Sequence, residues 1–441
     1  MLVSRRPPPL SGVDRKGEPV IRTPLSLHAA LLMERLVPLV APALLRRRLA
    51  RGKEDPTRMA EKLARPSMPR PAGRLVWLHA VGLGEVLVLP ALARALQARV
   101  PGLEVLITSS SRTSAEAVAP QLGAGMRHQY LPLDCPAHAR AFLDHWRPCL
   151  SVWSERDIWP ALVVETHRRA IPLALVNGRM DAASARAKAR ARGFYAALYG
   201  RFALIGAQDP RTAAHFAALG VQAEVTGRLK GGGAPLPDAA GIRAANAARL
   251  AGRRLWLAAS THPGEEALAC TAHARLLHDD PGAVLVIAPR QPGRAAEAVA
   301  AATAAGLGAA ILPPDGALPD PVPQVAVVAR VGQMGLWYRL ADAAFVGGSV
   351  APVGGHNPFE AARLDCAILH GPHVANFAED YAAFTEACAA QQVTDAATLA
   401  AALADPDLAA QRPRAAAVAE AGRAVLEAEA DRLVALMGDA P

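Results

Sequence analysis

The sequence predicts an α/β protein of two doubly wound, Rossmann-like domains, preceded by a helical segment that associates with a membrane. Three observations predict it. Beyond residue 70, short runs rich in Val, Ile and Leu alternate with Ala-rich helical stretches. These runs are apolar throughout rather than alternating, as parallel strands buried on both faces are. One Gly- and Pro-rich stretch, Gly231-Gly232-Gly233-Ala234-Pro235-Leu236-Pro237, divides the pattern into two halves.

Composition bounds the rest. A chain of 441 residues, 52% hydrophobic and 20% charged, can bury the cores of two or three domains. Aromatics at 4% argue against a base-stacking surface, so no nucleic-acid partner is expected. Five scattered cysteines without a CxxC pair support neither a structural zinc site nor a disulfide framework. The net charge of +9 is local: residues 1–70 hold fifteen Lys and Arg against six Asp and Glu, and the remainder is neutral. A basic arm on a neutral body points to an anionic surface.

The elements follow in order. Residues 1–24 read as a flexible basic tail. Residues 25–65 read as a membrane-associated apolar and basic helical segment. Its apolar run, Leu25 to Leu45, contains His28, Glu34, Arg35, Pro38 and Pro42, which spoil a clean span. Arg46-Arg47-Arg48, Arg51 and Lys53 then suit an anionic lipid surface. A helix packed on its own domain with a solvated charge run is the alternative. Residues 70–235 form the first α/β domain, with strands expected at 76–81, 103–109, 128–132, 150–154, 172–176 and 202–207. Residues 245–441 form the second, with strands at 254–259, 283–288, 309–312, 325–328, 343–346 and 367–369. Ligands of such folds bind at the carboxyl ends of strands, in the cleft between two such domains.

The candidate chemistry lies at those ends. Gly82-Leu83-Gly84-Glu85 follows the first strand, where Glu85 can act as a general base or serve as a helix-dipole partner. Ser154-Glu155-Arg156-Asp157-Ile158-Trp159 follows the fourth, and Glu155 would face substrate at the rim. Arg179 and Arg186 belong to a cationic cluster suited to a carboxylate or phosphate, or to a solvated helix face. Ser260-Thr261-His262 precedes a helix and resembles a phosphate cradle, with Arg290 of Pro289-Arg290-Gln291-Pro292 one strand later. In Gly347-Gly348-Ser349 and Gly354-Gly355-His356-Asn357-Pro358-Phe359-Glu360, small, polar and charged residues converge. There Asn357-Pro358 opens a helix whose positive end would meet a phosphate, with Glu360 on a ribose diol. Without a GxxxxGK[ST] loop, the second half reads as a nucleotide-sugar domain rather than an NTPase, and the first as an acceptor domain.

In order, WLHAVGLGEV (77–86), SERDIWPAL (154–162), VNGRMDAASAR (176–186), VTGRLK (225–230), AASTHPGEE (258–266), APRQPGR (288–294) and AFVGGSVAPVGGHNPFEAA (344–362) carry a resemblance. The chain resembles the 3-deoxy-D-manno-octulosonate (Kdo) transferases of lipopolysaccharide synthesis, from about Leu44 to Tyr381. The resemblance implies a GT-B fold and inverting transfer of Kdo from CMP-Kdo to a lipid A precursor, lipid IVA. It places the base on Glu85 and the CMP contacts on Pro289, Arg290, Val331, Gly332, Gln333, Asn357, Pro358, Phe359 and Glu360. Gly82, Glu155, Arg179, Arg186, Ser260, Thr261, His262, Ser349, Gly355 and His356 are the remaining substrate-contact candidates. It further implies the cytoplasmic face of a Gram-negative inner membrane, and no metal or cofactor beyond the donor substrate. The chain departs from the family's pattern at Gly82 (usually Ser), in its Ser154–Pro160 segment, at Arg228, at Gln291 (usually His) and at Gln333 (usually Glu). Competing readings are a GT-B enzyme using a UDP-sugar, a nucleotide-sugar epimerase, and a non-enzymatic binding module.

Overall fold

Along β3 (Leu75–His79) the side chains divide between two cores: Leu75 and Trp77 enter one, Val76 and Leu78 the other. A strand with period-two geometry and no polar face can only lie in a sheet covered on both sides. The same division occurs along β10 (Leu255–Thr261), where Leu255, Leu257 and Ala259 face one core and Trp256 and Ala258 the other.

The computed structural model describes residues 11–13, 19–21, 23–52, 54–154, 158–229 and 236–438. They form two compact units, 1–232 with 424–441, and 233–423. In the first unit β3 is joined by β4 (Glu104–Ser109), β5 (Met126–Tyr130), β6 (Leu150–Ser154), β7 (Leu173–Gly178), β8 (Leu204–Ala207) and β9 (Glu224–Val225). Their order is β5-β4-β3-β6-β7-β8-β9, and every pair is parallel. In the second unit β10 is joined by β11 (Val284–Pro289), β12 (Ala309–Ile311), β13 (Val325–Val327), β14 (Ala343–Val346), β15 (Ala367–His370) and β16 (Gln391–Gln392). Their order is β12-β13-β11-β10-β14-β15-β16, again all parallel. Each sheet reverses its direction of winding beside its first strand, between β3 and β6 and between β10 and β14, which is where such folds open a ligand crevice.

All twelve expected strands are present, and the two-residue edge strands β9 and β16 are added. Two expectations need correction. The tail contains an antiparallel pair, β1 (Ser11–Val13) with β2 (Pro19–Ile21). The second domain does not extend to the C-terminus: the helix Leu408–Met437 places Ala415 and Ala419 in the second unit's core but Leu426, Ala430, Leu433 and Met437 in the first unit's. Its apolar period carries it from one core into the other. Of the expected linker, 231–237, residues 231–235 lie outside the described residues.

The apolar arm forms two helices, Leu25–Glu34 and Val37–Ala50, bent by 57°. No single helix among the described residues is long and apolar enough to cross a membrane, though the bent pair passes that test by length and composition. Leu27, Ala41 and Leu45 are buried, while Leu25, Leu32, Met33, Leu36, Leu39, Val40 and Leu44 are exposed.

Candidate active site

At the winding reversal of the first unit, the chain leaves β3 through Ala80 and enters a one-turn helix, Leu83–Val86. The Glu85 side chain folds back over this turn. Its Oε2 accepts the amides of Gly82 at 2.9 Å and Val81 at 3.2 Å, as a carboxylate in the third helical position can. No described residue donates to Oε1. The carboxylate is thus fixed at the strand end with one oxygen open. The sequence offered helix-terminus partner or general base as alternatives, and the geometry accommodates both at once.

Behind this turn stands His79, buried, with Nδ1 2.9 Å from Thr108 Oγ1. Trp159 Nε1 donates to His79 Nε2 at 3.3 Å. An indole only donates, so His79 Nε2 must be the unprotonated nitrogen. Burial agrees, pushing the imidazole down to about 3. Trp159 and His79 therefore tie the loop after β6 to the end of β3. Glu155 lies outside the described residues. Arg179 follows the end of β7, where Asn177 takes a left-handed φ of 54° and its Oδ1 accepts from Gln208 Nε2 and the Leu229 amide. Arg186 is on the exposed side of the helix Ala182–Ala189.

In the second unit, a residue that sequence reasoning treated only as a first-turn charge organises the reversal. The Glu265 carboxylate is 1% exposed and accepts five backbone amides: His262, Gly348, Ser349, Val350 and Ala351, at 2.7–3.1 Å. It binds the loop after β14 to the loop after β10. The signal that could have exposed it was Gly347-Gly348, because only a glycine fits at 347: a Cβ there would lie 2.7 Å from Ser260 O and 2.8 Å from Thr261 Cα. Ser349 must be corrected accordingly. It is fully buried, its hydroxyl donating to Val346 O and accepting from Gly371 N, so it holds the loop rather than a ligand. Thr261 is also buried and donates to Glu266, which pairs with Arg294. Gly355, at φ 77°, donates its amide to Gly348 O.

Above this frame, His262 and His356 meet Nε2 to Nε2 at 3.0 Å. Burial, with His262 and Arg290 adding repulsion, holds His356 down at about 4. Arg290 follows β11, is exposed, and makes no side-chain hydrogen bond or ion pair among the described residues. Burial raises the Glu360 carboxyl above its usual range, against the pull of Arg363 and Arg290. A free guanidinium, a histidine pair in which burial keeps His356 neutral, and a carboxyl held above its usual range make a site for an anion beside hydroxyl groups. The expected helix dipole is a weaker contributor than the sequence suggested. The helix is a single turn, Phe359–Ala362, and Asn357 Oδ1 already accepts the Phe359 amide at 3.0 Å. Pro358 and Phe359 are buried within that turn, and Pro289 ends β11. Val331 and Gly332 form an exposed turn, and Gln333 opens the helix Met334–Leu340.

Residues 57–231 match the family model described as 3-deoxy-D-manno-octulosonic-acid transferase (kdotransferase). The chain is 34% identical over 341 residues to 3-deoxy-D-manno-octulosonic acid transferase of Bordetella pertussis, covering 75% of this chain and 78% of that one. It belongs to this family. The Kdo transferase of Haemophilus influenzae is 32% identical over 326 residues, 73% of this chain and 75% of the relative. Among solved structures, the C-terminal CMP-Kdo binding domain of WaaA from Acinetobacter baumannii is 29% identical, spans 40% of this chain and 97% of its own, and gives a TM-score of 0.36.

Two departures from the Kdo transferase pattern acquire a physical reason. A Cβ on Gly82 would stand 3.0 Å from the Glu85 carboxyl carbon, so the missing Ser gives Glu85 room to fold onto its own turn. Gln333 Nε2 donates to Pro314 O at 2.9 Å, a bond that the usual Glu cannot make. Nothing in the structure explains Gln291.

Proposed function

We propose that this Kdo transferase moves Kdo from CMP-Kdo to a sugar hydroxyl of a lipid A precursor, lipid IVA, with inversion, in lipopolysaccharide biosynthesis. The Glu85 carboxylate carries the reading: it is held at the end of β3 with Oε1 open. Oε1 takes the proton of the acceptor hydroxyl as its oxygen bonds to the anomeric carbon. The bond from that carbon to the CMP phosphate oxygen breaks on the opposite face. CMP leaves with one more negative charge, which Arg290 stabilises. Glu360 receives the ribose hydroxyls. Arg179 or Arg186 meets the Kdo carboxylate. No metal or further cofactor takes part in this scheme.

The reaction belongs at the cytoplasmic face of an inner membrane. The exposed apolar residues of the two N-terminal helices, with Arg46, Arg47 and Arg51 beside them, support that placement.

The test is turnover of CMP-Kdo with lipid IVA by the full chain and by Glu85→Ala. The substitution should cost about 10²–10⁴ in kcat with the melting temperature retained. Normal turnover by the variant overturns the assignment of the base. Thermal stabilisation by CMP and not by UDP, AMP or GMP supports the donor, whereas stabilisation by UDP alone replaces it.

A further inference from the structure

A cavity of about 180 Å³ opens in the first unit beside the N-terminal helices. Buried Leu45 and Leu131 form its apolar wall, to which Leu133 adds. Leu44, half exposed, and Arg48, 42% exposed, form its outer rim. An apolar cavity of ~150 Å³ admits benzene, so this one has space for a segment of about six carbons.

Glu54, 2% exposed, accepts from both Arg48, at 2.5 Å, and Lys62. Asp134, which also lines the cavity, accepts the amides of Ala161 and Leu162 at 3.0 Å, and burial raises it to about 6. Arg46, Arg47 and Arg51 lie on or next to the helix that bears Leu44, and the exposed Leu36, Leu39 and Val40 precede them. An alkyl chain with an anionic head is the ligand that this order of surfaces suits.

The cavity is also linked to the base-bearing turn by hydrogen bonds. Trp159 lines it and donates to His79, which ends β3. Ser110 lines it, and nearby Ser114 donates to Val81 O at 3.4 Å. Val81 in turn donates to Glu85. The lining residues Trp159 and Ser110 are thus connected to the turn that holds Glu85, a link that an acceptor lipid can use and a bulk bilayer lipid has no reason to require.

We propose that the cavity takes the end of one acyl chain of the acceptor lipid and so sets its depth relative to Glu85. The assignment rests on the reaction proposed above for the identity of the lipid. Trp159 is only partly buried, whereas Trp77, Trp146, Trp153, Trp256 and Trp337 are fully buried, so quenching of Trp159 reports occupancy.

The experiment uses the full chain in detergent and a tetraacylated glucosamine disaccharide bisphosphate brominated at its chain ends. Dibrominated phosphatidylglycerol at equal bromine concentration is the comparison. The expected result is quenching at least twofold stronger with the disaccharide lipid, abolished by Trp159→Phe. The Leu44→Phe variant, altered at a half-exposed rim position, should bind the brominated acceptor severalfold more weakly at an unchanged melting temperature. Equal quenching by phosphatidylglycerol, or quenching that survives Trp159→Phe, overturns the assignment. The readout needs neither CMP-Kdo nor turnover, so failure of the proposed reaction and failure of this assignment are read separately.

Discussion

His262 and His356 meet edge to edge, with ring centroids 5.2 Å apart, planes 16° from parallel and Nε2 atoms 3.0 Å from each other. One nitrogen must donate and the other accept, so a single proton sits between the two rings. Two imidazoliums would point two donors at each other. The expected outcome is that His356 remains neutral until the pH falls to about 4, as burial and its neighbours dictate. Nitrogen-15 shifts of the imidazole measure this directly. An imidazolium at His356 at pH 6.5 in the free protein contradicts the effect of burial on this ring.

Acid should destabilise the fold through His79. Its folded value of about 3 lies below the ordinary 6.5 because the ring is buried. Between these values the unfolded chain binds the extra proton, so stability rises with pH there. The contribution is complete above pH 6.5 and is lost as pH falls towards 3. In urea unfolding at pH 7.5, 6 and 5, His79→Asn should lose less stability on acidification than the parent chain. Equal slopes count against a neutral buried His79.

Glu34 should act in the opposite direction. It is raised to about 8, chiefly by burial and then by the charge of Asp134, and its Oε2 has no hydrogen-bond partner. The folded chain holds this proton more tightly than the unfolded one. Its stabilisation is therefore full below pH 4.5 and is lost as pH rises through about 8. Glu34→Gln supplies a neutral side chain at every pH. The variant should melt higher than the parent at pH 8.5 and show a flatter profile from pH 5 to 8.5. A parent profile without this alkaline decline counts against the buried pair.

Removing the Glu265 carboxylate should damage the second unit more than any other single polar truncation at the site. Glu265→Ala leaves five backbone amides without their acceptor. An orphaned buried donor costs ~1–3 kcal/mol, and relaxation will recover part of the sum. A loss of about 3 kcal/mol or more in urea unfolding is expected. A loss below about 1 kcal/mol means that water or another group replaces the carboxylate.

Apolar runs made the strands legible, because a strand buried on both faces leaves no polar positions to mistake for solvent. Leu150–Ser154 and Ala343–Val346 lie where the sequence placed them. The edges were not legible: Glu224–Val225 and Gln391–Gln392 are two residues each and have no apolar pattern. The residues at the strand ends were found, but their partners were not. Ser349 looked like a ligand contact because it is polar and follows glycines, while its hydroxyl serves Val346 and Gly371. Glu265 looked like an ordinary first-turn acid because its five donors come largely from a loop more than eighty residues away. Short-range rules see the turn that a side chain belongs to, and not the distant backbone it accepts from.

The helix Leu408–Met437 begins in one core and ends in the other, and this dictates an order of assembly. The second unit is an insertion within the first, whose Val76, Leu78 and Ala174 share a core with Leu426, Ala430 and Leu433. During synthesis the first sheet emerges early but lacks this wall until the entire second unit has been made. A fragment cut near the linker at residue 232 would carry an uncovered apolar face, which a peptide spanning residues 424–438 could close in trans. The chain therefore completes the half that bears Glu85 last, after the half that bears Arg290 and Glu360 is already in place.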